Sequence, residues 1–252
     1  MAIVTKKAAD WGRFSAISQE AKYRLVWRSY GPEKVGKNHF AFTAPGPIAV
    51  QSFDIGLEGV VEKFLRDGKD IRAVEYEFEK GDCSQEAAQV LRDAFVEDYE
   101  KALKVARTIV WDTETELWDL FRYAEFGTND QGVATTKPRD YVKLNSSYRD
   151  LIQQAYDTGV NLCLIQKVKE RWKTNEKGSP TPSGVFEASG FKEAGYITQA
   201  TLCHSWDKEE GFGVYLANCR QNMGLAGETF YNMTFPELAT LIFGEESADS
   251  WS

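Results

Sequence analysis

Two glycines five residues apart, followed at once by a lysine, form the most chemically specific feature of this chain. Residues Gly31, Pro32, Glu33, Lys34, Val35, Gly36, Lys37 and Asn38 fit the phosphate-loop pattern G-x-x-x-x-G-K-[ST] everywhere except its last position, and His39 follows. Such a loop turns successive backbone N–H groups toward an anion, and its lysine neutralises the β- and γ-phosphates of a nucleotide. Gly31 and Gly36 supply backbone freedom that a Cβ would forbid. Asn38 removes the hydroxyl that normally touches Mg²⁺. Its amide can donate to a phosphate or offer a carbonyl oxygen to the metal, so weaker metal binding and slow or absent hydrolysis are expected. The competing reading is a Gly/Pro turn with an exposed lysine.

Several polar groups stand at the ends of apolar runs. Asp54 follows Ile48 to Phe53, Asp112 follows Thr108 to Trp111, and Gln166 closes Val160 to Ile165. Asp112 reads equally as a metal-site acid or as a helix N-cap, and Asp54 as a metal-site acid or a loop cap. Glu58 and Glu114 are candidates to orient an attacking water, against the plainer reading of surface acids. Lys167, Lys169, Arg171, Lys173 and Lys177 crowd one stretch with Trp172 among them. That stretch can grip a phosphate backbone and stack a base, or it is a solvated charged edge.

The elements that must position these groups follow from periodicity. Tyr23 to Ser29 reads as a strand, and Asn38 to Phe42 as a short helix stopped by Ala44-Pro45-Gly46-Pro47. Strands are expected over 48–54, 71–78, 108–112 and 160–166. Helices are expected over 57–67, from an Asp82 cap to Arg107, over 117–121 and over 141–157. Residues 126–139 and 167–190 read as loops, and 198–203 with 212–219 as an antiparallel pair through the turn at 208–211. Thr234 caps a last helix. Strands alternating with helices imply an α/β fold with a mostly parallel central sheet, helices on both faces and an antiparallel C-terminal strand pair. In such sheets ligands lie at the carboxyl ends of the strands, where the glycine loop, Asp54, Asp112 and Gln166 all fall. The expected organisation is an N-terminal extension (1–22), one domain (23–244) and a flexible acidic tail (245–252).

Composition narrows the class. The chain has 252 residues, 42% hydrophobic and 27% charged, with net charge −8. That acidity argues against indiscriminate nucleic-acid binding, but residues 1–40 hold eight Lys/Arg against three acids, while 41–100 hold six against fourteen. Cys163, Cys203 and Cys219 lie in apolar runs and read, with Cys83, as reduced thiols, and His39 and His204 lack a metal constellation. No apolar run reaches 18 residues and the first ten lack an apolar leader core, so a cytoplasmic protein off the membrane is expected.

The order of motifs resembles the RecA-like P-loop ATPases. More narrowly, it resembles the short phage-encoded members that assist single-strand annealing in recombination, over roughly residues 23–243. Gly31 to Asn38 looks like Walker A and Thr108 to Asp112 like Walker B. Val160 to Gln166 looks like the strand whose terminal Gln couples nucleotide to DNA, and 126–139 and 167–190 fall where the family places its DNA-binding loops. Cys219-Arg220-Gln221-Asn222, Gly227 and the helix from Thr234 are similar to the C-terminal pattern of the phage members. Two departures stand out: Asn38 itself, and the catalytic Glu, whose nearest position holds Gly56 with Glu58 two residues on.

The resemblance implies ATP and Mg²⁺ as ligands, with Lys37 on the phosphates and Asn38, Asp54 and Asp112 around the metal. Gln166 would sense the γ-phosphate, and Lys167, Lys169, Arg171, Trp172 and Lys173 would meet single-stranded DNA. Arg220 would reach a neighbouring subunit's phosphate in a ring or filament, unless it is a surface ion pair. A single-strand binding or annealing protein is an expected partner. The rival expectation is a degenerate P-loop protein that binds nucleotide weakly or not at all and supports a DNA-processing complex. A nucleotide kinase is a third possibility, though lid arginines are lacking.

Overall fold

The computed structural model describes residues 23–54, 57–79, 83–127, 138–174 and 178–251. The expected extension over 1–22, Gly56, the Asp82 cap and most of the 126–139 loop lie outside them.

Ten strands and seven α-helices are described. In chain order they are β1 (Val26–Tyr30), α1 (Lys37–Phe42), β2 (Ile48–Ser52), α2 (Val61–Arg66), β3 (Ile71–Glu75), α3 (Gln85–Val105), β4 (Thr108–Asp112), α4 (Glu114–Phe126), α5 (Tyr141–Thr158), β5 (Asn161–Gln166), β6 (Val168–Thr174), β7 (Pro180–Ala188), α6 (Ala194–Ile197), β8 (Ala200–Asp207), β9 (Gly211–Cys219), β10 (Thr229–Tyr231) and α7 (Phe235–Phe243). Eight strands form one sheet in the order β10-β9-β8-β1-β5-β4-β2-β3. All neighbours from β8 to β3 run parallel, and β9 pairs antiparallel with both β8 and β10. This is the α/β architecture of a mostly parallel sheet with an antiparallel pair.

Burial explains the order. β4 and β5 are buried at every residue, as apolar runs covered on both faces must be. Successive side chains enter opposite cores. Val110, Cys163 and Ile165 pack with Phe40 and Phe42 of α1, Phe64 of α2 and Phe235 and Leu238 of α7. Ile109, Trp111, Leu162 and Leu164 pack with Phe95 and Tyr99 of α3, Leu117 and Phe121 of α4 and Tyr148 of α5. Local signals set the helix ends: Ser84 Oγ accepts from Ala87 N at α3, and Thr234 and Glu237 form a capping box at α7.

Three expectations need correction. Residues 167–190 contain the antiparallel pair β6–β7, a separate two-stranded sheet. The helix expected over 117–121 extends across Glu114–Phe126. The acidic tail is a 3-10 turn over Glu245–Trp251 whose Trp251 is buried against Tyr23, Phe235 and Phe243, with Nε1 donating to Ser247 Oγ at 2.9 Å. One aromatic ring suffices to pin a segment whose composition reads as solvated.

Candidate nucleotide site

The glycine loop leaves β1 at Tyr30 and enters α1 at Lys37. Gly31 has φ 152° and lies so close to β8 that a Cβ would stand 2.5 Å from the His204 carbonyl oxygen. Gly36 takes φ 88° at the N-cap of α1, where a Cβ would meet the Phe212 ring at 2.7 Å. Glycine is therefore required at both points. Glu33 and Lys34 are exposed at the loop's tip and Val35 is tucked in. His39 stacks on Phe212 and has Lys63 Nζ 3.1 Å from its Nε2; burial and then Lys63 push its pKa down.

A cavity of about 670 Å³ opens beside this loop, bounded by Lys37, Asn38, Asp54, Asp112, Thr113 and Lys167. Its size suits a nucleotide. Lys37 Nζ donates to the carbonyl oxygens of Gly31 at 2.9 Å and Pro32 at 2.5 Å, so the ammonium is held at the loop's mouth. Burial lowers its pKa, opposed by Asp112, Glu33 and Asp54.

Asp112 ends β4 and is 3% exposed. Its Oδ2 accepts from Asn38 Nδ2 at 2.8 Å. Burial pushes its pKa up to about 6, against the pull of the Asn38 hydrogen bond and Lys37. Among the described residues no three His, Cys, Asp or Glu side chains gather as a metal site. The donors present fit Mg²⁺ nonetheless, because that ion commonly takes one or two carboxylates and completes its shell with phosphate oxygens and water. Asp112 with the Asn38 carbonyl oxygen, and Asp54 beyond, would hold it.

The other candidates divide. Glu58 is exposed and Glu114 is wholly buried. Glu114 therefore does not present itself to an attacking water. Its Oε2 accepts from Gln166 Nε2 at 2.7 Å, and its Oε1 accepts from Tyr148 Oη at 3.0 Å and from Phe191 N at 3.2 Å. Burial raises its pKa to about 8. Gln166, 1% exposed, points into this network, and its Oε1 has no hydrogen-bond partner among the described residues. The strand order explains its position: β5 lies between the loop-bearing β1 and the acid-bearing β4.

The turn after Asp112 also holds the base of the β6–β7 hairpin. Thr115 Oγ1 donates to Ser189 O at 2.7 Å and accepts from Lys167 N at 2.9 Å, while Ser189 N donates to Lys167 O at 2.8 Å. On the hairpin Trp172 and Phe186 are each 62% exposed. Arg171 and Lys169 pair with Glu187 at 3.0 and 3.7 Å, and Lys173 is exposed. Lys167 is set apart from these cations: it lines the cavity, and its Nζ lies 2.7 Å from Glu116 Oε1 and 3.7 Å from Asp54 Oδ2. Glu116 was not among the sequence candidates, and no local pattern distinguishes it from the other acids of α4.

Arg220 donates from Nη2 to Tyr196 O at 2.7 Å and is exposed. It follows Cys219, which pairs with Ala200 at the start of β8, so it lies at the far end of the sheet from the glycine loop. Of the cysteines, Cys163 and Cys219 are buried, while Cys203 and Cys83 are partly exposed. Among the described residues no helix is long and apolar enough to cross a membrane.

No curated protein matches the sequence. Among solved structures, the crystal structure of the RadB recombinase is similar in layout, with 11% identity and a TM-score of 0.45 over 82% of this chain and 86% of that one. That distance bears on no individual residue. A family model described as an AAA domain matches residues 22–191, from the approach to β1 through the far side of the hairpin. Most of the chain is thereby accounted for, and it belongs to the AAA-domain family.

Proposed function

We propose that the protein binds ATP with Mg²⁺ beside the glycine loop and uses the bound state to set the posture of the β6–β7 hairpin on single-stranded DNA. The setting would be phage-type recombination or annealing, with several copies of the chain assembled on the strand. The observation that carries this reading is the path from Asp112 into the hairpin base. Asp112 borders the cavity, and within four residues of it Glu114, Thr115 and Glu116 bond Gln166, Phe191, Ser189 and Lys167. A change at the phosphates therefore has a short mechanical route to Trp172, Lys169 and Arg171.

In the bound state Mg²⁺ would draw charge from the β- and γ-phosphates. Lys37 would leave the Gly31 and Pro32 carbonyls for phosphate oxygens, while the loop's N–H groups orient the chain of phosphates. Trp172 and Phe186 would stack on bases, with the neighbouring cations on the strand's phosphates. ATP binding and turnover, each measured with and without single-stranded DNA, test this. Lys37→Ala should cost at least about tenfold in ATP affinity, the scale of one charged hydrogen bond. Equal affinity in the variant, or no effect of DNA on any nucleotide parameter, would count against it.

A further inference from the structure

The basic stretch after β5 does not act as one unit. Lys169, Arg171 and Lys173 ride on the hairpin, but Lys167 precedes it and turns into the cavity. Register fixes where. Tyr30 of β1 pairs with Gln166 of β5, so Gly31 and Lys167 are the residues that follow the ends of two neighbouring strands. Lys37 Nζ is bound to the carbonyl oxygen of that same Gly31. Two ammonium groups, those of Lys37 and Lys167, thus line the same cavity.

The Lys167 ammonium is engaged by Glu116 and Asp54, and its main chain is fixed by Thr115 and Ser189. A half-exposed lysine held by carboxylates at a cavity wall can exchange them for a more highly charged anion at small cost.

We propose that Lys167 is a terminal-phosphate contact: it leaves Glu116 and Asp54 for the γ-phosphate of a triphosphate, and a diphosphate is too short to draw it. This rests on the nucleotide reading above and deepens it. The move takes the ammonium away from Glu116 and Asp54 at the moment the extra phosphate arrives. Because Lys167 is also the first link of the hairpin base, it gives that base a direct report of the third phosphate.

The test is equilibrium binding of ADP and of a non-hydrolysable ATP analogue to the full chain, with Mg²⁺, for the unaltered protein, Lys167→Met, Lys167→Arg and Lys37→Ala. The expected result is a loss of about tenfold or more for the triphosphate alone in Lys167→Met. ADP affinity should be unchanged, Lys167→Arg should restore the difference in large part, and Lys37→Ala should weaken both ligands. Equal losses for both nucleotides in Lys167→Met, or no loss for either, would overturn the proposal while leaving nucleotide binding intact. If the unaltered protein binds neither nucleotide, both readings fall together.

Discussion

Asn38 and Asp112 are joined directly, amide nitrogen to carboxylate oxygen, at 2.8 Å. In a phosphate loop ending in Ser or Thr, the metal ion is held at the hydroxyl of that position. Here the amide already occupies the acid that would share the ion. A metal entering this site must displace that hydrogen bond or turn the amide to present its oxygen. Asn38→Thr removes the competing donor and supplies the missing hydroxyl. Mg²⁺ affinity of the nucleotide complex should then rise by about tenfold or more, the scale on which metal-site partners act, and turnover should rise with it. A metal titration followed by phosphate release measures both, and an unchanged pair of curves would mean Asn38 is not what limits the site.

Asp112 predicts a pH limit. Its pKa is pushed up to about 6, chiefly by burial, and a carboxylate must be ionised to hold a metal. Mg²⁺-dependent nucleotide binding should therefore fall as pH drops through about 6. The stability contribution has the opposite sign. A raised folded-state pKa means folding favours the proton, so the benefit is full below the ordinary value of 3.8 and is lost as pH rises through about 6. Asp112→Asn should remove that slope from a series of denaturant unfolding curves.

Glu114 is a structural acid at the junction of α4, α5, β5 and the segment after the hairpin. Removing it with Glu114→Ala strands the Gln166 amide, the Tyr148 hydroxyl and the Phe191 N–H, at a cost of about 3 kcal/mol or more in unfolding free energy. Glu114→Gln keeps the shape without the charge and should cost far less. With its pKa near 8 against an ordinary 4.5, the unaltered protein's Glu114 contribution is lost as pH rises through about 8. The Gln variant should lack that dependence.

Thr115→Val separates the hairpin from the site without touching the cavity wall. It leaves Lys167 N and Ser189 O without their Thr115 partner. Nucleotide affinity should hold, while amide exchange at Lys167 rises and any effect of nucleotide on DNA affinity shrinks. Intact coupling in this variant would place the connection elsewhere.

The sequence disclosed the sheet better than the hairpin for a physical reason. β4 and β5 are covered on both faces and so are written as continuous apolar runs, each ending in a polar residue at the ligand side. β6 and β7 are exposed along most of their length, so the alternating charges Lys169, Arg171 and Lys173 suit a solvated edge without an opposing buried apolar face, and the Lys, Pro, Ser and Gly content imitates a loop. The glycine loop was legible because its backbone geometry permits so few residues. Glu116 was not, because its partner lies 51 positions away on another element and nothing local distinguishes one acid of α4 from the next. Arg220 is placed by β9 at the end of the sheet remote from its own chain's glycine loop, and a reach to a neighbouring subunit's phosphate is a property of an assembly, which no local pattern in one chain encodes.

Trp251 has a bearing on how the molecule is made. Its ring closes over Tyr23, ahead of β1, and over Phe235 and Phe243 of α7. One ring thus ties a segment ahead of the first strand, 228 positions before it, to the last helix, over the layer that carries α1 and α7. Trp251→Ala would leave that layer with an open apolar seam, the kind of surface that chaperones and proteases find.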